Sequence, residues 1–173
     1  DKALFLSAIN HNNKLEKKFK NIGACHARGV PQIKNITPIM ELAKRKCLII
    51  SDSDAPAVAQ KESYLKIKGY GDWKTYQDID SAVLASTGED FIKNDFIAKK
   101  VSDVLGSSIS FDKVLLPLED KKIEAIQKFL RDSGLSQDQI RDTVTRIKDS
   151  IFQDLKGSNI EDKYIKLLES LLI

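Results

Sequence analysis

The sequence contains few of the residues on which several classes of protein depend. Its 173 residues include two cysteines, Cys25 and Cys47, which are too few for a disulfide framework and lack the spacing of a zinc site. The two histidines, His11 and His26, cannot form a histidine-rich metal cluster. The sequence has no glycine-rich phosphate loop and no apolar run of the roughly 20 residues that a membrane helix needs. We therefore expect a cytoplasmic protein that does not enter a membrane and does not bind ATP through these residues.

What the sequence does contain is the composition of an ordinary globular domain, with 42% hydrophobic and 31% charged residues. The charge is uneven: residues 1–50 carry 10 Lys and Arg against 3 Asp and Glu, whereas residues 51–173 carry 18 against 22. The basic N-terminal part suits the phosphate backbone of a nucleic acid, and such charges are also ordinary protein surface. Because the chain begins at Asp1 and its one methionine is Met40, we expect a piece of a longer protein.

The first third of the chain is predicted to begin with a helix and a strand. Residues 3–9 are apolar enough for a helix that enters a core, and residues 10–20 indicate a polar, basic connection. Residues 21–25 are typical of a short buried strand, and residues 29–31 of a turn. This order is the beginning of an alternating α/β pattern.

A second helix and strand follow. Thr37, with a proline after it and an acid three residues later, predicts the start of a helix that ends near Lys46. Residues 47–50 are a continuous apolar run, which is typical of a central strand of a parallel sheet. Pro56 opens another helix, predicted to end at Gly69. Helices that alternate with strands in this way indicate an α/β protein with a parallel sheet.

The second half of the chain is predicted to be helical. Residues 91–105 and 121–130 are two candidate helices, and two more follow from apolar residues spaced by three and four. These apolar residues are Ile140, Val144, Ile147, Ile151 and Leu155 in one helix and Ile160, Tyr164, Leu167, Leu168 and Leu171 in the next. Capping boxes are predicted for both, formed by Ser136 with Gln139 and by Ser158 with Glu161. We place a boundary near Gly106, which divides an α/β domain (residues 1–106) from a helical extension (residues 107–173).

The strongest candidate site is Asp52-Ser53-Asp54, directly after the apolar strand. Open parallel sheets bind ligands at the carboxyl ends of their strands. Residues two apart on an extended segment point to the same side, so the two carboxylates repel each other unless a cation lies beside them. Hard oxygen ligands of this kind suit Mg²⁺. The alternative is that Asp52 and Asp54 only cap the helix that starts near Pro56.

Two further charged pairs are candidates for the same chemistry. Glu89 and Asp90 form a second acidic cluster, and their simplest interpretation is that they stabilise the start of a helix. Lys121 and Lys122 are adjacent, and a lysine can neutralise charge on a phosphate that is being cleaved. The simpler interpretation of this pair is a solvated helix face.

These segments in this order resemble the Toprim nuclease domain of the OLD (overcoming lysogenization defect) family of ATP-dependent endonucleases. The family's motif begins with a strand that ends in a catalytic Glu, commonly E-G-x-x-D, and Asp1 stands in the place of the last Asp. Residues 21–29 resemble the glycine-containing second strand and its turn. Residues 48–56 resemble the D-x-D segment, and residues 87–92 resemble the later acidic segment, T-x-E-D followed by apolar residues.

The resemblance implies a fold, a reaction and a set of ligands. The fold is a Toprim-like parallel sheet flanked by helices, with a C-terminal helical extension. The reaction is metal-dependent hydrolysis of DNA phosphodiesters by an endonuclease or nickase, within a larger ATPase–nuclease that acts in phage defence. The cofactor is Mg²⁺, or Mn²⁺ in its place, and the implied metal ligands are Asp52, Asp54, Glu89 and Asp90. Lys122 or Lys121, which resembles the family's lysine before the final helices, would stabilise the transition state.

The resemblance also implies partners and a limit. The expected partners are DNA, an upstream ATPase domain of the same protein and a second copy of the chain in a homo-oligomer. Since the family's catalytic Glu lies before Asp1, we expect the isolated chain to have weak or no nuclease activity. Two alternatives stay open: another Toprim chemistry, such as primase-type nucleotidyl transfer or RNA cleavage, and a non-catalytic α/β interaction module whose acids cap helices and whose helices form a dimerisation surface.

Overall fold

The fold was analysed in a computed structural model, which describes residues 2–106 and 110–171. Two strands are present in this part of the chain, β1 (Leu48–Ser51) and β2 (Asp72–Thr75). The helices are α1 (Lys2–His11), α2 (Asn13–Phe19), α3 (Ile33–Leu42), α4 (Ala55–Lys66), α5 (Tyr76–Ile79), α6 (Asn94–Leu105), α7 (Lys122–Asp132), α8 (Gln137–Gln153) and α9 (Asp162–Ser170). Short 3₁₀ turns occupy Val30–Gln32, Gly88–Phe91, Lys113–Leu115 and Gly157–Asn159.

The two strands form a small parallel sheet joined by α4. Leu48 lies opposite Asp72, and Ser51 lies opposite Thr75. Parallel strands need a crossover connection, and α4 provides it. The predictions of a strand at residues 47–50 and of a helix from Pro56 are confirmed. The described chain is therefore a mixed α/β protein that is mostly helical.

Strand β1 lies between two clusters of buried apolar side chains. Leu48 and Ile50 pack against the larger cluster, to which most of the helices contribute. Ile49, between them in sequence, packs in a smaller cluster with Ile33, Tyr64 and Trp73. Successive side chains of a strand point to opposite faces, so β1 has an apolar layer on each side. This double burial explains why its sequence is continuously apolar.

The larger core contains residues from both halves of the chain. Buried side chains of α1 and α2, such as Leu4 and Leu15, belong to the same cluster as Leu167 of α9. Lys18 reinforces this contact, since its Nζ donates to the carbonyl oxygens of Leu168 (3.2 Å) and Glu169 (2.6 Å) at the end of α9. The predicted boundary near Gly106 runs into residues 107–109, which lie outside the described residues, and the division into two domains stays a prediction.

Residues 10–20 are not the polar connection that the sequence predicted, because α2 forms there. Asn12 caps this helix: its Oδ1 accepts hydrogen bonds from the backbone N–H groups of Lys14 (2.9 Å) and Leu15 (3.1 Å). Leu15 and Phe19, four residues apart, are both buried. The segment is a short amphipathic helix whose apolar face consists of only two residues. Because most of its other side chains are charged, its sequence was interpreted as a polar connection.

The strand predicted at residues 21–25 is absent, and the helix predicted from Thr37 begins earlier. Residues 22–27 have no regular secondary structure, and Ile22 is 41% exposed. Thr37 lies inside α3, where its Oγ1 donates to the Ile33 carbonyl oxygen (3.2 Å), so Thr37 is not a cap. The helix contains Pro38 and ends at Leu42 rather than near Lys46.

The helical character of the second half is confirmed, with one error in its caps. Helices α6 to α9 occupy the predicted regions, and Ser136 with Gln139 forms the predicted capping box of α8. The box predicted for Ser158 and Glu161 is wrong. Ser158 lies in a 3₁₀ turn, and Glu161 is the residue before α9, with no side-chain cap. No helix of residues 2–106 and 110–171 is both long enough and apolar enough to cross a membrane.

Candidate acidic site at the end of strand β1

The site lies at the end of β1, where residues 86–91 pass beside the segment that follows the strand. Ser53 N–H donates to the Ser86 carbonyl oxygen (2.8 Å), and Gly88 N–H donates to Asp52 Oδ1 (3.0 Å). Below this point Ser51 is buried, and its Oγ accepts a hydrogen bond from Trp73 Nε1 (2.9 Å). Two segments that are far apart in sequence are therefore joined at the carboxyl edge of the sheet, where the sequence predicted a site.

Asp52 and Asp54 do different things. Asp54 is the N-cap of α4, and its Oδ1 accepts a hydrogen bond from the N–H of Ala57 (3.0 Å). The capping interpretation is therefore correct for Asp54. It is not correct for Asp52, whose carboxylate is bonded to Gly88 instead.

Glu89 is brought to the same place from the 3₁₀ turn Gly88–Phe91. Glu89 is 3% exposed, and its Oε1 lies 2.7 Å from Nζ of Lys148 in α8. The Lys148 side chain is 42% exposed, so its amine reaches the buried carboxylate from the solvent side. A buried carboxylate needs such a partner, because an unpaired charge would be strongly destabilising there.

The electrostatics of Asp52 reflect this crowding of negative charge. The pKa of Asp52 is raised to about 6, first by burial and then by the nearby carboxylates of Glu89 and Asp54. The hydrogen bond from Gly88 and the charge of Lys148 act in the opposite direction, more weakly. Lys148 pairs with Glu89, while Asp52 lies near two other carboxylates, so the site has an excess of negative charge that a cation would relieve.

Three aromatic side chains, Tyr76, Phe91 and Tyr164, pack together beneath these carboxylates. The rings of Tyr76 and Phe91 meet edge to face with centroids 4.9 Å apart, and Tyr164 lies 4.8 Å from Phe91. Burial, with the charges of Asp52 and Glu89 among the additional causes, holds the pKa of Tyr76 well above its usual value. Both tyrosines are therefore neutral. The low dielectric constant of this aromatic cluster strengthens the electrostatic interactions among the neighbouring carboxylates and Lys148.

Asp90 lies next to Glu89 but is saturated with hydrogen bonds. Its Oδ2 accepts from the N–H groups of Ser86 (3.1 Å) and Thr87 (3.0 Å) and from Thr87 Oγ1 (3.2 Å), while its Oδ1 accepts from Lys122 N–H (3.0 Å). The residue is completely buried. Asp90 thus has an evident structural role as the cap of its own turn, and its role as a metal ligand stays a prediction.

The two lysines singled out in the sequence lie apart from the Asp52–Glu89 contacts. Lys122 is completely buried, and its Nζ donates to the Ile92 carbonyl oxygen (2.6 Å). Burial and then the charge of Lys163 lower the pKa of Lys122 to about 8. Lys121 is exposed in a left-handed conformation (φ 62°) just before α7. Their catalytic roles stay a prediction, and neither forms an ion pair with an acid of the site in the described residues.

Lys148 is the site residue that the sequence analysis missed. It follows Ile147, one of the buried apolar positions of α8, and therefore lies at the edge of the helix's apolar face. That position was readable from the spacing of Ile140, Val144, Ile147 and Ile151. Its partner was not, because Glu89 is 59 residues earlier in the chain.

Comparison of the chain with protein-family models, with curated proteins and with solved structures found no match. Within residues 2–106 and 110–171, no three His, Cys, Asp or Glu side chains are grouped closely enough to hold a metal ion by themselves.

Proposed function

We propose that this chain is a Toprim-type nuclease domain of an OLD-like protein and that it hydrolyses DNA phosphodiesters with the help of Mg²⁺. The single observation that carries the proposal is the pairing of Asp52 with the Glu89 region at the carboxyl edge of the parallel sheet. A motif whose acids were only helix caps would give no reason for Asp52 to be held away from the helix that follows it. The family resemblance of residues 48–56 and 87–92 supports the same function.

The candidate ligands suit a hard divalent cation by their chemistry, with water molecules in the coordination positions that these side chains do not reach together. The candidate ligands Asp52, Asp54 and Glu89 supply only carboxylate oxygens, and Mg²⁺ prefers oxygen ligands. In the described residues, each of the three carboxylates has one oxygen in a hydrogen bond or ion pair and another without such a partner. Mg²⁺ usually keeps several waters and uses one or two carboxylates, and Mn²⁺ accepts the same ligands.

The roles of the protein groups follow from their contacts. Gly88 N–H would fix the orientation of Asp52, and Lys148 would hold Glu89 while the exposed part of its ammonium group faces an incoming phosphate. A bound Mg²⁺ would supply a nucleophilic water and stabilise charge on the phosphate oxygens. Lys148 would add a positive charge to that phosphate, the role that the resemblance assigns to Lys122 or Lys121. DNA is the proposed substrate, and an upstream ATPase is the proposed partner within the parent protein.

Metal binding by this chain is the first test. We expect calorimetric titration with MgCl₂ and with MnCl₂ to show binding to the wild-type chain and none to Asp52→Asn. Asp138→Asn, at an exposed position on α8, is the matched control and should bind like the wild type. If neither ion binds, or if Asp52→Asn binds as well as the control, the acids belong to an interaction module and the proposal is wrong.

Nicking by the parent protein is the second test. In a supercoiled-plasmid assay, Asp52→Asn and Glu89→Gln should each abolish nicking, and Asp138→Asn should not. Lys148→Met should lower the rate roughly 100-fold or more, the usual effect of removing one group that stabilises developing charge. RNA cleavage or nucleotidyl transfer in place of nicking would keep the site and change the reaction to another Toprim chemistry.

A further inference from the structure

The four tyrosines of the chain divide into two pairs by the state of their hydroxyl groups. Tyr64 Oη donates to the Tyr70 carbonyl oxygen (2.7 Å), and Tyr70 Oη donates to the Arg45 carbonyl oxygen (2.8 Å). The hydroxyls of Tyr76 and Tyr164 form no hydrogen bond within the described residues, although these side chains are only 1% and 2% exposed. A buried tyrosine ordinarily has a partner for its hydroxyl, so this pair needs an explanation.

Tyr76 stands beside Asp52 at the carboxyl edge of the sheet. Both residues directly follow the last residue pair of the parallel strands. One residue further along, Gln77 N–H donates to Ser53 Oγ (3.0 Å), so the two segments stay adjacent beyond the sheet. Burial raises the pKa of Tyr76, and the charges of Asp52 and Glu89 raise it as well. The Tyr76 hydroxyl therefore keeps its proton and lies near the carboxylates of the acidic site.

The ring of Tyr76 is covered, but its hydroxyl is not enclosed. Phe91 packs edge to face on the ring with centroids 4.9 Å apart, and the ring of Tyr164 lies at 6.3 Å. In the described part of the chain, the side-chain polar atom that is both enclosed and without a partner is Asn94 Oδ1. Because the Tyr76 hydroxyl also lacks a partner but does not share this enclosure, a molecule at the site can reach it.

The aromatic packing does not require this hydroxyl. Phe91 belongs to the same cluster and has none, so a phenylalanine would fill the Tyr76 position equally well. Asp52 does not use it either, since in the described residues its carboxylate accepts from Gly88 N–H and not from Tyr76. The hydroxyl is thus a hydrogen-bond donor at the acidic site that the protein itself leaves unused.

We propose that the Tyr76 hydroxyl donates a hydrogen bond to a phosphate oxygen of the DNA strand that is cleaved at the acidic site. This role depends on the proposed nuclease function and adds a neutral donor to it, beside the charge of Lys148. Negative charge changes on the phosphate oxygens during cleavage, and a donor that is already held in place stabilises it without reorganisation. The contact of the Tyr76 ring with Phe91 supplies that rigidity. Tyr76 forms no covalent bond with the DNA, because its hydroxyl keeps its proton.

Urea unfolding of this chain tests whether the hydroxyl is unused by the protein. Tyr64→Phe loses two hydrogen bonds, to Thr37 Oγ1 and to the Tyr70 carbonyl oxygen, so its equilibrium constant of unfolding should rise about 10-fold. Tyr76→Phe loses none within the described residues, and its constant should change less than about 2-fold. If Tyr76→Phe is destabilised as much as Tyr64→Phe, the hydroxyl has a partner in the protein and the proposal is wrong.

Nicking of supercoiled plasmid by the parent protein tests the role itself. At saturating DNA, Tyr76→Phe should nick about 100-fold more slowly than the wild type, the effect of losing one fixed donor to developing charge. Its affinity for DNA, measured with Ca²⁺ in place of Mg²⁺, should change less than about 3-fold, because many other phosphate contacts supply most of the affinity. Tyr70→Phe is the matched control, since its hydroxyl donates to a backbone carbonyl away from the site, and it should nick like the wild type.

Calorimetry with MgCl₂ separates a failure of this role from a failure of the nuclease function. Tyr76→Phe should bind Mg²⁺ like the wild type, because the tyrosine is not one of the candidate ligands. Wild-type nicking by Tyr76→Phe overturns the role of Tyr76 and leaves the nuclease function intact. Loss of Mg²⁺ binding together with nicking also overturns it, since the change then acts through the metal site. A wild-type parent protein that binds no Mg²⁺ and does not nick removes the nuclease function, and the role of Tyr76 with it.

Discussion

The segment after β1 and the turn at residues 88–91 each carry two acids, and in each segment the two acids behave differently. After β1, Asp54 caps the next helix, whereas Asp52 bonds to the other segment. In the turn, Asp90 caps its own backbone, whereas Glu89 pairs with Lys148. Each segment therefore has one acid that holds local structure and one that faces the acid of the other segment.

The difference follows from where each acid stands relative to free backbone N–H groups. An acid at an N-cap, or three residues after one, meets unpaired N–H groups at the start of a helical turn, as Asp54 and Asp90 do. Asp52 and Glu89 are displaced from these positions, so their partners come from elsewhere in the fold. The comparison predicts that the capping acids act mainly on stability and the other two mainly on charge and chemistry.

The largest effect on stability is expected at Asp90. Asp90→Ala removes, at a completely buried position, the carboxylate that accepts from three backbone N–H groups and one hydroxyl. Of these donors, Ser86 N–H keeps a second acceptor, Asp120 Oδ1 (3.1 Å). Buried donors that lose their partner cost about 1–3 kcal/mol each when nothing replaces it, so we expect a loss of about 4 kcal/mol or outright unfolding. Urea unfolding measures it, with Asp138→Ala as the exposed control. A loss below about 1 kcal/mol would contradict the capping role of Asp90.

A smaller loss is expected for Lys148→Met. This change leaves the buried Glu89 carboxylate without its cation, and breaking a buried pair costs about 3–5 kcal/mol. Because the Lys148 side chain is 42% exposed, water replaces part of the interaction, and we expect about 2–3 kcal/mol. Adding Glu89→Gln should recover most of the loss in urea unfolding. Lys99→Met, which breaks the exposed pair with Asp103, should leave stability almost unchanged.

Asp52 should behave in the opposite way, because its ionised form is disfavoured in the folded chain. Its pKa is about 6 when folded, against 3.8 for an ordinary Asp, so the folded state holds the proton more tightly. The contribution of Asp52 to the free energy of unfolding should therefore fall as the pH rises from about 4 to about 6, by an amount on the order of 3 kcal/mol, and stay low above that. Asp52→Asn should abolish this dependence and stabilise the chain at neutral pH.

Adding Mg²⁺ to the same unfolding experiment tests whether the Asp52 site binds a cation. If the excess negative charge is a cation site, Mg²⁺ should stabilise the wild-type chain at pH 8 in urea unfolding and should have little effect at pH 4, where Asp52 is protonated. Asp52→Asn should not respond at either pH. If the wild-type chain and Asp52→Asn showed the same pH dependence of stability between pH 4 and 6, the pKa of Asp52 would not be raised in the folded chain.

The sequence predicted the parts of the fold that carry a long or strongly biased pattern. The apolar run of β1 and the spacing of apolar residues in α8 were sufficient, because β1 packs against apolar clusters on both faces and α8 is buried along one face over most of its length. The pattern failed where few residues decide the structure. Strand β2 has only Trp73 and Thr75 buried, and α2 has only Leu15 and Phe19, so neither produces a readable period.

For the site, the sequence identified the two acidic segments but not which acid of each segment caps a helical turn and which one does not. Which acid of Asp52 and Asp54 becomes a cap depends on where the helix begins, and α4 begins at Ala55, directly after Asp54. Element boundaries are the least reliable part of such a prediction. Lys148 and its partner Glu89 belong to contacts of high sequence separation, which no local pattern encodes.

The smallest effect is expected at Asp54, where two substitutions separate a cap from a ligand. Asp54→Ala removes the acceptor for Ala57 N–H and should cost about 1 kcal/mol in urea unfolding. Asp54→Asn keeps a good capping side chain and should cost little. If Asp54 is only a cap, Asp54→Asn should bind Mg²⁺ like the wild type in calorimetry. If Asp54 also binds the metal, as the resemblance implies, Asp54→Asn should weaken Mg²⁺ binding while leaving stability almost unchanged, because the amide caps the helix but lacks the negative charge.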